Sequence, residues 1–191
     1  MKKYGFMTIV LLLAIAISGS NTVLAGEIAK KKQTPQGKYL TSQETFDLVN
    51  NDPENILFID TRTQAELEFV GWTSLIDGNV PYVTKDLNAW DTKKPRFKNV
   101  ANSNFLVAIE DLLAKKKLTK ESSIVLICRS GSRSAKAANL LFKAGYHNVY
   151  SVTDGFEGDK DKKGYRTVNG WKNAGLPWDY KLEKGKMYWE F

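Results

Sequence analysis

The chain has one cysteine, Cys128, and one histidine, His147, among its 191 residues. With a single cysteine no internal disulfide can form. What remains is an intermolecular pair or a free reactive thiol. One cysteine and one histidine cannot supply the nitrogen and sulfur ligands of a transition-metal cluster, so neither a metal nor any other cofactor is expected. Interleaved aromatic and basic residues are missing, as is any nucleic-acid-binding motif. The net charge of +7 is therefore a matter of solubility and steering, and nucleic acid is excluded as a partner class. No internal repeat and no second domain is visible, and the length suits one domain with a sizeable core.

Lys2 and Lys3 precede an apolar run over 6–17 that only Thr8 interrupts, and Val23-Leu24-Ala25 offers a small-residue cleavage site. This is the pattern of a secretory signal peptide over 1–25, with the mature chain starting at Gly26. A retained membrane anchor is the alternative, but the run falls short of the roughly 20 residues of a spanning helix. The absence of a cysteine near the cleavage site excludes a lipid-anchored start. The expectation is export to a bacterial periplasm, with no stable membrane insertion once the leader is removed. Loss of Lys2 and Lys3, with no acid, lowers the net charge from +7 to +5. Residues 26–37, with Lys30-Lys31-Lys32 and Pro35, read as a flexible mature N-terminus.

Cys128 closes the run Ser122-Ser123-Ile124-Val125-Leu126-Ile127. Four consecutive apolar residues, three of them β-branched, predict a buried strand of a parallel sheet. A short polar turn follows, and then an alanine-rich helical pattern over 134–144. The sulfur thus sits where a strand's C-terminal end meets a helix N-terminus, the edge at which open α/β sheets bind ligands. Unpaired N–H groups of the turn and of the first helical turn converge there. The helix dipole adds partial positive charge, and Arg129 and Arg133 add two full charges. Each of these favours a thiolate and would hold an anion. A cysteine at a strand end can also be a small core hydrophobe. Two arginines and three small polar or glycine residues directly after it are unusual for that role.

Cys128-Arg129-Ser130-Gly131-Ser132-Arg133-Ser134 resembles the active-site loop of rhodanese sulfurtransferases. A phosphatase loop, with five residues between its cysteine and arginine, is built on similar physics. Here four residues separate Cys128 from Arg133. Asp60-Thr61-Arg62 followed by Glu66 is similar to the Asp-x-Arg…Glu element of the rhodanese family. Gly71-Trp72-Thr73 and Asp77-Gly78 stand where that family has Gly-His-Ile-x-Gly-Ala, without the histidine. Asp154-Gly155-Phe156 looks like the turn after the last strand. Asn169-Gly170-Trp171-Lys172-Asn173-Ala174-Gly175-Leu176-Pro177 is similar to the family's terminal helix and Ala-Gly-Leu-Pro ending.

The resemblance runs over 39–177 and implies an α/β, rhodanese-like domain over 38–178, with a C-terminal extension over 179–191. Its fold would be a central, mainly parallel five-stranded sheet with helices on both faces. The implied activity is sulfur transfer through a persulfide on Cys128. Arg129, Ser130, Gly131, Ser132, Arg133 and Ser134 would bind the substrate. The implied partners are a small anionic sulfur donor such as thiosulfate and an acceptor that is cyanide, a thiol or a protein. A persulfide resting state or a recessed loop would protect a lone thiol from over-oxidation in an oxidising compartment. A persulfide carrier with little thiosulfate turnover, and a small cysteine-dependent phosphatase, stay open as alternatives.

The rest of the chain supplies supporting elements. Tyr39-Leu40 starts a short strand, and Thr41-Ser42-Gln43-Glu44 is a capping box opening a helix over 42–50, with Phe46 and Val49 inward. Residues 55–61 form a buried strand ending near Asp60. Asp60 and Arg62 either charge the mouth of the site or fix a loop. Asn79-Val80-Pro81-Tyr82 reads as another short strand. Residues 84–104 lack clean periodicity and read as a long connection bordering the Cys128 pocket, or as an ordinary surface excursion. Phe105, Ala108, Ile109, Leu112 and Leu113 mark an amphipathic helix over 104–117. A helix of about 12 residues after the loop carries the chain back roughly 18 Å. His147 then begins the next strand at the opposite edge, out of reach of a Cys–His dyad. Residues 157–166 are a charged insert; a calcium loop is the alternative reading, but the spacing lacks an EF-hand's full ligand set and terminal glutamate. The aromatic segment after 178 either packs back on the body or serves a partner.

Overall fold

The computed structural model describes residues 28–188. The signal peptide expected over 1–25 lies outside the described residues, as do the last three residues of the C-terminal extension.

Two unbroken apolar runs make the centre of the molecule. Strand β2 (Ile56–Asp60) and strand β6 (Ser123–Ile127) pair in parallel from Ile56 beside Ser123 to Asp60 beside Ile127. Helices cover both faces, which is why neither run alternates with polar residues. Strands β1 (Tyr39–Leu40), β7 (Val149–Val152) and β3 (Gly78–Asn79) complete a five-stranded, all-parallel sheet in the order β1-β7-β6-β2-β3. The sheet expected from the sequence is present. Strand β3 ends at Asn79, before the expected stretch over 79–82 has run, because Pro81 has no N–H to give a ladder. The N–H of Val80 still donates to the Asp60 carbonyl at 2.9 Å.

Alternate side chains of each strand enter different cores. Leu57, Ile59, Ile124, Leu126 and Val149 pack with helix α3 (Phe105–Lys115) and helix α4 (Ser132–Lys143). Ile56, Phe58, Val125, Ile127 and Val152 pack with Val49 of helix α1 (Ser42–Asn51), Leu67 of helix α2 (Gln64–Val70), and Trp72, Phe156 and Trp171. Burying each large apolar side chain contributes about 1.5–3 kcal/mol. Helix α1 opens on the expected capping box: the Thr41 hydroxyl accepts from the Glu44 N–H, and the Glu44 carboxylate accepts from the Thr41 N–H at 2.7 Å.

Four expectations change. Residues 84–104 are not an irregular connection. Of these, residues 84–101 belong to an antiparallel hairpin of β4 (Val83–Asp91) and β5 (Arg96–Ala101), with a bulge between Asp86 and Trp90. Of the segment expected to be a flexible N-terminus over 26–37, the described part is docked: Lys30–Lys32 form a 3-10 turn against α4, and buried Lys32 pairs with Asp159 at 2.8 Å. The expected terminal helix is a single turn, closed by the Ala174 N–H on the Gly170 carbonyl at 2.9 Å. Helix α4 starts at Ser132, two residues early, so Arg133 lies in its first turn. The C-terminal segment packs back on the body. Asp179 bridges Trp72, Met187 bridges Asn79, and the indole N–H of Trp72 donates to the Lys181 carbonyl at 3.0 Å.

Candidate active site

Cys128 follows β6 directly and is 1% exposed. The loop from Cys128 to Gly131 is held from outside by the turn after β7. Phe156 N–H donates to the Cys128 carbonyl at 2.8 Å, and Glu157 N–H to the Arg129 carbonyl at 3.0 Å. With the carbonyls so engaged, the N–H groups of Arg129, Ser130 and Gly131 have no acceptor among the described residues. The first N–H groups of α4 have no intrahelical partner either. Together they form a cradle for negative charge beside the sulfur. Gly131 makes the bend at φ 87°, where a Cβ would collide with the Thr153 carbonyl. Gly155 stands against the loop from the other side, and a Cβ there would lie 2.5 Å from the Cys128 carbonyl.

Ser134 and Ser151 continue the polar lining inward. The Ser134 hydroxyl lies 3.6 Å from Cys128 Sγ and donates to the Gly131 carbonyl at 3.0 Å, while the Ser151 hydroxyl donates to Ser134 Oγ at 3.0 Å. The sequence reading included Ser134 and missed Ser151. A lone buried serine in the apolar strand Val149-Tyr150-Ser151-Val152 is the signal that could have found it.

Arg133 does not stand free at the mouth. Its Nη1 and Nη2 donate to the two carboxylate oxygens of Glu66 at 2.6 and 2.5 Å. Glu66 is itself the N3 residue of a capping box on α2, accepting from the Thr63 N–H at 3.1 Å. Burial alone would raise the Glu66 pKa. The hydrogen bond and charge of Arg133, the Thr63 N–H and the charge of Arg62 outweigh it and lower the value to about 2. Burial likewise works against the Arg133 guanidinium, but Glu66, Cys128 and Asp60 raise its pKa. Arg129 is half exposed, 3.9 Å from Glu157.

Asp60 and Arg62 are the loop-fixing network, not the mouth. Both side chains are 0% exposed and paired at 2.7 Å. Arg62 also donates to the Gly71 carbonyl at 3.0 Å and stacks 3.9 Å from the centre of the Phe156 ring. The Asn79 amide ties the Asp60 and Arg62 carbonyls together. His147 is exposed, packed edge-on to Phe142, and precedes the start of β7, which pairs with the start of β6. Cys128 is at the other end, so the two do not meet. In the insert over 157–166, Asp159 is taken by Lys32, and Asp161 accepts from the N–H groups of Lys163 and Tyr165. Among the described residues no group of three or more His, Cys, Asp or Glu side chains could hold a metal.

Above Cys128 lies a recess of about 560 Å³. Lys31, Lys85, Lys94, Arg96, Arg129, Arg133, Lys136 and Arg166 line it, and among the described residues Glu66 is its one carboxylate. The hairpin supplies one wall through Val83, Lys85, Lys94, Arg96 and Asn99. Lys85 is pulled below its ordinary pKa by desolvation and then by repulsion from Arg96 and Arg133. Of the eight cations, the sequence reading placed Arg129 and Arg133 at the site. Lys136 follows Arg133 by three residues on α4 and was legible by helical spacing. The other five meet only in three dimensions.

Fold and site together define a parallel α/β domain with a buried cysteine in an anion cradle at a strand-to-helix turn. The profile of the Rhodanese-like domain matches residues 42–162, and the chain belongs to the rhodanese-like domain family. An uncharacterized protein of Rickettsia rickettsii is 33% identical over 142 residues, 74% of this chain and 96% of that protein. The crystal structure of Rv0390 from M. tuberculosis superposes with a TM-score of 0.57 at 27% identity, over 75% of this chain and 98% of that one. Thiosulfate sulfurtransferase GlpE of Tolumonas auensis is 44% identical over 41 residues, 22% of this chain and 39% of that protein.

Proposed function

We propose that the protein is a sulfurtransferase that carries a persulfide on Cys128. The observation that carries this reading is the cradle of unpartnered N–H groups around a buried thiol at the floor of a basic recess. The short likeness to a thiosulfate sulfurtransferase supports thiosulfate as a donor.

In the first half-reaction the Cys128 thiolate attacks the outer sulfur of thiosulfate. The donor's S–S bond breaks, its electron pair leaves on sulfite, and Cys128 holds S–S⁻. The free N–H groups of the loop disperse that charge, the logic of an oxyanion hole. Arg129 and the neighbouring cations draw the anion in. Arg133, pinned by Glu66, contributes charge from a fixed place rather than by reaching for the donor. The Cys128 thiol donates to Ser134 Oγ at 3.6 Å; once the thiolate forms, the Ser134 hydroxyl would turn from the Gly131 carbonyl to the sulfur, while the Ser151 hydroxyl keeps donating to the Ser134 oxygen. In the second half-reaction a nucleophile such as cyanide attacks the outer sulfur. The Cys128–S bond breaks, thiocyanate leaves, and the thiolate returns. The proposal also places the mature protein, starting at Gly26, in a periplasm, on the pattern of the leader.

The test is the intact mass of the purified protein before and after thiosulfate, then after a cyanide chase. Gain of one sulfur, released as thiocyanate, is the expected result. Initial rates against the two substrates form parallel lines, and Cys128→Ser abolishes transfer. Intersecting lines, or a loaded Ser variant, would refute the mechanism. Hydrolysis of an aryl phosphate by the unloaded enzyme would favour the phosphatase alternative.

A further inference from the structure

We propose that the recess and the β4–β5 hairpin dock an acidic protein segment that presents a cysteine thiol to the Cys128 persulfide. The proposal rests on the sulfurtransferase reading and names its acceptor. Three observations carry it.

The charge at the mouth exceeds what a small donor needs. Of the eight cations lining the recess, Arg133 is paired with Glu66 and Arg129 stands 3.9 Å from Glu157; the other six have no ion pair among the described residues, whereas thiosulfate brings two negative charges. A segment with several Asp or Glu residues matches the excess, and electrostatic complementarity of this kind raises association rates and rejects basic competitors.

The hairpin also carries apolar surface that a small anion cannot use. Trp90 and Phe97 are a cross-strand pair, packed edge to face at 5.3 Å, and remain 52% and 42% exposed. Phe97 stands on β5 between Arg96 and Asn99, both of which line the recess, so the aromatic pair borders that wall on the same hairpin. Aromatic side chains beside arginine are the residue types that dominate protein interfaces.

Finally, Cys128 lies at the floor with 1% exposure. A folded surface cannot reach it, but an extended segment entering along the hairpin can. The transfer balances without an added oxidant or reductant. The partner's thiol attacks the outer sulfur of Cys128–S–S⁻, the Cys128–S bond breaks, and its electron pair stays on Cys128 as thiolate. The thiol proton passes to the outer sulfur, so the partner leaves as R–S–SH.

The experiment uses the mature protein and two twelve-residue peptides with one central cysteine, flanked by glutamates in one and lysines in the other. Loading by thiosulfate or a small persulfide is first verified by mass. Transfer to each peptide is then timed relative to dithiothreitol. At low salt the acidic peptide is expected to accept at least about tenfold faster than the basic one, and 0.5 M salt should remove most of that advantage. Lys94→Glu with Arg96→Glu should abolish the preference, and Trp90→Ala with Phe97→Ala should slow the acidic peptide by about fivefold or more. Equal rates for the two peptides, or a preference untouched by the charge reversal, would overturn the docking surface while leaving the sulfurtransferase reading intact. If Cys128 loads from no donor, that reading fails, and the surface is decided by fluorescence anisotropy. Peptides with serine for cysteine are titrated into the protein. At least tenfold tighter binding of the acidic peptide to the native chain than to the double charge variant supports the surface. Equal binding overturns it.

Discussion

The pair β2–β6 and the pair β4–β5 are both two strands joined by backbone hydrogen bonds, yet they do opposite work. Ile56–Asp60 is buried along its whole length, and Ile124 to Ile127 on the partner strand are buried beside it. Every residue of Arg96–Ala101 is exposed. The first pair gains its free energy from apolar side chains entering two cores. The second has an aromatic pair, and its base is tied to the body by the Asn102 N–H on the Tyr82 carbonyl at 3.2 Å. The buried pair fixes the position of Cys128. The exposed pair brings cations over it. Rigidity and recognition thus sit on separate elements that meet at one recess.

The sharpest way to break the buried pair is at its end, where Asp60 holds Arg62. Removing one member of a wholly buried ion pair leaves the other uncompensated. Asp60→Ala is expected to cost about 3–5 kcal/mol in urea unfolding. A loss below about 1 kcal/mol would mean that Arg62 finds water or another partner, and its structural assignment would fall.

A second ion pair sharpens the contrast, because it joins the scaffold to the mouth. The folded state holds the Glu66 pKa at about 2, below its ordinary 4.5. A depressed carboxylate stabilises fully above the unfolded value and loses that contribution as pH falls through the folded one. Stability from Glu66 is thus complete near pH 6 and disappears between about pH 4.5 and pH 2. Its size is at most about 3 kcal/mol. Measured as the difference between the native chain and Glu66→Gln, it should shrink steadily over that window. A difference that stays constant with pH would assign the Glu66 contribution to packing and not to charge.

The same contrast explains what could be read beforehand. The runs Ile56-Leu57-Phe58-Ile59 and Ile124-Val125-Leu126-Ile127 announce buried strands because burial on both faces demands apolar residues throughout. The cysteine loop is legible because a strand-to-helix turn needs its glycine and small polar residues contiguous in sequence. Val83–Asp91 gave no such sign. Its faces are mostly solvated, so neither alternation nor an apolar run is imposed, and cross-strand partners such as Lys85 and Asn99 are not neighbours in the chain. Lys32 is illegible for a related reason. Within a lysine run it looks solvated, and only the distant Asp159 makes its burial tolerable. The Thr63–Glu66 capping box is visible as a Thr-x-x-Glu spacing, but the family motif accounts for Glu66 without it and so hides its second role.

If the hairpin is dispensable for stability, replacing residues 87–97 by an Asn-Gly turn should close the strands between Asp86 and Lys98. The unfolding free energy should then change by less than about 1 kcal/mol, because an exposed two-stranded ribbon adds little on its own. A larger loss would show that the hairpin helps hold the sheet, and the division between the two strand pairs would be wrong.

The smallest effect is expected at His147. Its ring is exposed against Phe142, and the α4 helix separates it from the sulfur. A Cys–His hydrolase would lose orders of magnitude in rate without its histidine. In a persulfide mechanism nothing at Cys128 depends on an imidazole, since the cradle N–H groups carry the charge. His147→Ala should keep sulfur transfer within about twofold and stability within about 0.5 kcal/mol of the native chain. A collapse of transfer with stability retained would place an imidazole in the chemistry. The described geometry at the end of β6 would then not be the geometry that reacts.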